Sequence, residues 1–123
     1  MPGVLGLRTV IYKVVDIGEA KAWYGKAFGR EPYFDEPFYV GFNIGGYELG
    51  LQPADEDNTI GNSVVTYWGV DDVEKTLKHM IDLGAAKQEE PMDVGSGIIV
   101  ASLTDPWHNV IGLIYNPHFK LAD

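Results

Sequence analysis

Part of this chain is written twice. Val15-Asp16-Ile17-Gly18-Glu19 opens a segment that ends in Ala27-Phe28-Gly29. Fifty-five residues on, Val70-Asp71-Asp72-Val73-Glu74 opens one that ends in Asp82-Leu83-Gly84. A later echo links Gly50-Leu51-Gln52-Pro53 to Gly112-Leu113-Ile114-Tyr115-Asn116-Pro117. Two copies of one supersecondary unit in 123 residues predict a pseudo-symmetric fold with a cleft where the copies meet. The expected organisation is one domain: module one at about 5–53, a polar linker at 54–62, module two at about 63–117 and a tail at 118–123.

Each copy reads as strand, helix and three strands. Leu7 to Val15 alternates, with Tyr12 and Val14 on the better core face and Thr9, Ile11 and Lys13 opposite. Asp16 then caps a helix, with Glu19 at capping-box spacing and Gly29 placed for a left-handed stop. Ala20, Trp23, Tyr24, Ala27 and Phe28 form its apolar stripe. Strands follow at 31–36, 38–44 and 47–52, interrupted by Pro37 and joined at Gly45-Gly46 by a hairpin turn. The second copy has a strand over 63–69 and a helix capped by Asp71 or Asp72, Asp71 and Glu74 having the box spacing. Its buried stripe is Val73, Leu77, Met80 and Ile81. Strands near 87–89, over 97–103 and over 109–115 complete it, the last two joined by Asp105-Pro106-Trp107-His108.

Nine bases face eighteen acids, for a formal charge of −9. This argues against nucleic acid and anionic membrane surfaces as partners, since both select basic patches. The two helical segments hold six acids and four bases, so the excess of acid lies on strands and loops, where a ligand would meet it. An acidic cleft attracts cations; acids also simply keep a protein soluble. There is no cysteine, no membrane-length apolar run and no basic-then-apolar leader, which predicts a cytoplasmic protein. A Gly-x-Ser-x-Gly elbow is absent, and Gly95-Ser96-Gly97 is too short for a phosphate loop.

Val14-x-Asp16 followed by a helix containing Trp23-Tyr24 and ending in Phe28-Gly29 resembles the first module of the glyoxalase/bleomycin-resistance/dioxygenase group, the vicinal oxygen chelate superfamily. Asp105-Pro106-Trp107-His108-Asn109 through Leu113 resembles that family's closing Asp-Pro-x-Gly-Asn turn and strand, with His108 in place of the usual Gly. The resemblance runs from about Leu7 to Pro117. It implies an α+β fold of two tandem βαβββ modules forming an open cup-like barrel with helices outside. It also implies a small-molecule ligand in the concave mouth and a homodimer.

Metal-dependent members of the family hold a divalent ion on four strand positions, two per module, with His or Gln on the first strand and Glu on the last. The matching positions here are Thr9, Val65, Gly50 and Gly112, which carry no customary ligand. Glu48 lies on the same face as Gly50, and a two-residue slip would restore one ligand. His79, His108 and His118 sit on a helix's polar side, in a turn and in the tail. The resemblance therefore describes a member without the metal site and without a cofactor.

If Gly50 faces the cup, so do Thr9, Ile11, Lys13, Glu48 and Gln52, and from the second module Ser63, Val65, Tyr67, Val110, Gly112 and Ile114. Glycines at 50 and 112 leave room for a flat ligand to approach the backbone. Trp107, in its turn, is the candidate aromatic contact. Lys13 either meets a ligand or pairs with Glu48. Two functions follow from the resemblance. One is a metal-independent binding protein that sequesters a cationic or aromatic small molecule. The other is a glyoxalase-like lyase or isomerase, using Glu48 and Tyr67 as acid–base groups or a divalent metal at ligands the sequence does not reveal.

Overall fold

The computed structural model describes residues 7–54 and 65–119. Most of the expected linker, Ser63 and the last four residues lie outside the described residues. The chain divides into two compact units, residues 1–60 and 61–123. Each contains the expected βαβββ succession.

In the first unit β1 (Thr9–Val14) leads into α1 (Ile17–Phe28), then β2 (Phe34–Glu36), β3 (Tyr39–Ile44) and β4 (Tyr47–Pro53). The sheet order is β1-β4-β3-β2, with β1 parallel to β4 and the other pairs antiparallel. Asp16 caps α1 by accepting from the Glu19 amide at 3.0 Å. Gly29 ends it in the left-handed conformation at φ 66°. Gly45 and Gly46 both take positive φ, as a tight hairpin of this hand requires, and so pair Ile44 with Tyr47. That register fixes every residue of the sheet to a face. One face buries Tyr12, Val14, Val40, Phe42, Leu49 and Leu51. The α1 stripe of Ala20, Trp23, Tyr24 and Ala27 is buried with them. Tyr24 stacks on Tyr12 at 5.8 Å between ring centroids and meets Trp23 edge-on at 4.9 Å. Burial of each large apolar side chain here is worth about 1.5–3 kcal/mol.

The second unit repeats the plan with β5 (Thr66–Gly69), α2 (Val73–Asp82), β6 (Ala86–Asp93), β7 (Ile99–Thr104) and β8 (Val110–Tyr115), in sheet order β5-β8-β7-β6. Val73, Leu77 and Met80 are buried, as are Ala101, Leu103, Ile111 and Leu113 of the sheet. Ile81, expected in the stripe, is 38% exposed. Asp72 caps α2, accepting from the Lys75 amide at 3.0 Å, so the Asp71–Glu74 spacing is not the one used. The reason is local: Asp72 holds the extended backbone of a cap, at φ −143° and ψ 104°. With that cap the units agree more closely, since Thr9 and Val65 each stand seven residues before the capping aspartate.

The β7–β8 turn is built around a buried Asp105. Its carboxylate accepts from the amides of Trp107 at 2.9 Å and Asn109 at 2.8 Å, and from the Asn109 side chain at 3.0 Å. His108 adopts φ 75°, a left-handed backbone that explains why glycine suits this position.

Candidate functional site

The face of the first sheet turned away from α1 carries six of the sequence-predicted residues in three rungs. Thr9 pairs with Glu48, Ile11 with Gly50 and Lys13 with Gln52, parallel across β1 and β4. β3 continues two of the rungs, Asn43 opposite Glu48 and Gly41 opposite Gly50, and Phe34 of β2 lies opposite Gly41.

Glu48 is the centre of this face. Its Oε1 accepts from the Thr9 hydroxyl and from the Tyr39 hydroxyl, each at 2.7 Å. Its Oε2 accepts from the hydroxyl of Tyr33. Hydrogen bonds from Tyr33, then Thr9 and Tyr39, hold the carboxyl below its ordinary pKa, outweighing a smaller opposing effect of burial. The phenols answer in the opposite sense. The bond to Glu48, aided by burial and by the nearby negative charge, pushes Tyr33 up to about 12. Burial and the same carboxylate raise Tyr39. All three directions favour an ionised acid among protonated hydroxyls at neutral pH. A carboxylate so held is a poor proton acceptor, and phenols so raised are poor donors.

The rings of these tyrosines fill the space that glycine leaves. A Cβ on Gly50 would stand 2.0 Å from the Tyr39 hydroxyl oxygen, and one on Gly41 would stand 3.3 Å from the Tyr33 ring. In the second unit a Cβ on Gly112 would lie 2.6 Å from the Tyr67 ring. The expected open floor is thus corrected in both units: each last-strand glycine lies under an aromatic ring of its own sheet. Tyr33, Phe34 and Ile11 remain exposed around Glu48. Phe34 meets Phe38 and Tyr39 edge-on, both at 6.1 Å between centroids. On the outer rung Lys13 donates to the side-chain oxygen of Gln52.

The second unit's candidates are more dispersed. Tyr67 pairs with Gly112 and is exposed, and Val65 just precedes β5. Val110 is buried at 3%. Trp107 is half-buried in the Asp105 turn, and Trp68 of β5 is also half-buried. His79, His108 and His118 are exposed; His118 Nε2 lies 2.9 Å from the Ser96 carbonyl oxygen.

The residues within each unit do not fit a resident divalent ion. A catalytic zinc-type site needs about three protein ligands with free lone pairs. Glu48, the carboxylate at the centre of the first unit's face, already accepts from hydroxyls through both oxygens, and Tyr39 occupies the place where a ligand at position 50 would start. Among the described residues no three His, Asp or Glu side chains are grouped as a metal requires.

Tyr33 and Tyr39 were not among the sequence candidates. Tyr39 was within reach of the register set by Gly45-Gly46, which puts it on the Glu48 face. Tyr33 precedes β2 in irregular chain, where no periodicity assigns a face.

A model of the Glyoxalase/Bleomycin resistance protein/Dioxygenase superfamily matches residues 6–113. None of the curated proteins matches the chain. Among solved structures, a glyoxalase/bleomycin resistance protein/dioxygenase family enzyme from Burkholderia phytofirmans PsJN superposes with a TM-score of 0.76 at 23% identity, covering 87% of this chain and 95% of that one. A glyoxalase-related enzyme from Fulvimarina pelagi superposes at 0.78 with 15% identity, covering 97% and 94%. A glyoxalase/bleomycin resistance protein from Albidiferax ferrireducens T118 gives 0.73 with 20% identity, covering 89% and 98%. At these identities the likeness concerns the fold alone. Among the described residues no helix is long and apolar enough to cross a membrane.

Proposed function

This chain belongs to the Glyoxalase/Bleomycin resistance protein/Dioxygenase superfamily, and within it we propose a metal-independent binding protein for a small organic cation. The open face of the first unit's sheet is the site, with Glu48 as the charge and Tyr33, Phe34 and Tyr39 as the aromatic surround. The observation that carries this reading is the convergence of three hydroxyls on one carboxylate. Such an acid keeps its charge and its position, which suits attraction and not proton shuttling.

The magnitudes support a weak-to-moderate site. A unit positive charge about 4 Å from Glu48 gains roughly 4 kcal/mol at the effective dielectric near a protein surface. An aromatic face in reach adds about 0.5–2 kcal/mol. The overall negative charge works in the same direction at longer range.

The reading is tested by calorimetric titration of the protein with benzylamine and with benzyl alcohol, its neutral counterpart. The amine is expected to bind at least about tenfold more tightly, a difference of roughly 1.4 kcal/mol. Glu48→Gln should remove that preference, and a metal chelator should not. Equal binding of amine and alcohol, or binding abolished by the chelator, overturns the proposal.

A further inference from the structure

The same sheet face has a second pole. Along β1 and β4 the rungs run in a fixed order: Thr9 with Glu48, Ile11 with Gly50, Lys13 with Gln52. The first rung is anionic and the third carries an ammonium whose position is set by its bond to the Gln52 oxygen. The rung between them is apolar. Ile11 is 42% exposed there, the Tyr39 ring lies across Gly50, and the Tyr33 ring lies over Gly41. Residues four apart on a strand, as Thr9 and Lys13 or Glu48 and Gln52 are, are separated by about 13 Å. The two poles are therefore held by backbone pairing at opposite ends of a short, flat, oily stretch.

From this juxtaposition we infer that the ligand is a zwitterion: its cationic group meets Glu48, its anionic group meets Lys13, and a flat apolar body that spans the rungs, about 13 Å apart, lies over Ile11 and the Tyr39 ring. The inference rests on the cation-binding reading above and makes it more specific. A simple amine satisfies only the Glu48 end. A ligand with both charges aligns its dipole with the rungs, so the face selects the separation of the charges and their direction. Gln52 contributes by holding the lysine over the sheet.

The test compares three probes by calorimetry: 4′-(aminomethyl)biphenyl-4-carboxylate, 4-phenylbenzylamine and 4-phenylbenzoate. The zwitterion is expected to bind about tenfold more tightly than 4-phenylbenzylamine, the gain typical of one added charge-assisted contact. Lys13→Met should bring the zwitterion down to the affinity of the amine, and Lys13→Arg should restore part of the gain, which excludes misfolding as the cause. A zwitterion that binds no more tightly than 4-phenylbenzylamine, or a gain that survives Lys13→Met, overturns this inference and leaves the cation site standing. Failure of both the zwitterion and 4-phenylbenzylamine to bind overturns the cation site and this inference together.

Discussion

The hydroxyl of Tyr39 lies where a side chain on Gly50 would begin: a Cβ there would be 2.0 Å from the phenol oxygen. The glycine is thus the floor on which the ring rests as it reaches Glu48 at 2.7 Å. Gly50→Ala forces the ring away. It should cost about 1–3 kcal/mol, as overpacking does, and break the hydrogen bond. In a Tyr39→Ala background the same substitution meets no ring. It should then be neutral, or stabilising by about 0.5 kcal/mol because glycine is unfavourable inside a strand. Urea denaturation of the four proteins of this cycle measures the coupling. Additive effects would contradict the packing described.

The hydroxyl cluster predicts a plateau of stability against pH. The Glu48 pKa is depressed in the fold. Its contribution is present above the unfolded glutamate value of about 4.3 and is lost as pH falls through the folded value. The Tyr33 pKa is raised to about 12. Its contribution is complete below the unfolded tyrosine value of about 10 and is lost as pH rises toward 12. A Tyr33→Phe/Tyr39→Phe variant should therefore be less stable than the parent by about 1 kcal/mol, a figure reduced for exposure. The gap should hold from about pH 5 to 9 and close on both sides. Denaturation midpoints across a pH series read this directly, and a gap that widens in acid contradicts it.

The β7–β8 turn makes two opposite predictions. Asp105 is 3% exposed and accepts from two backbone amides and one side-chain amide. Asp105→Ala strands those donors and should cost about 3 kcal/mol. His108 is exposed and pays for a left-handed backbone at φ 75°. His108→Gly should relieve that strain and gain up to about 1 kcal/mol, the glycine's extra unfolded freedom offsetting part of the benefit. Thermal melts of both variants check the signs.

Much of this architecture is legible in the sequence because the chain states it twice. The Asp16 cap, the Gly29 stop and the Gly45-Gly46 hairpin use residues whose local chemistry allows few alternatives. The parallel pairing of β1 with β4 then collects Thr9, Ile11, Lys13, Glu48, Gly50 and Gln52 on one face, as alternation predicts. Other features escape. Adjacent aspartates at 71 and 72 both suit a cap, and only the backbone decides between them. β6 runs from Ala86 to Asp93, well beyond 87–89, because an edge strand exposed along most of its length shows no alternation. A glycine in the sequence announces a missing Cβ and is silent on what fills the gap. Here Tyr39 and Tyr67 fill it. Tyr33 reaches Glu48 from irregular chain, so its role follows from packing alone.

In the proposed site Glu48 is a fixed negative charge, and a carbon-detected NMR titration of its carboxyl group measures that most directly. The inflection should lie below the usual glutamate value and move up toward it in Tyr33→Phe. An inflection at or above the usual value, unmoved by Tyr33→Phe, would contradict it.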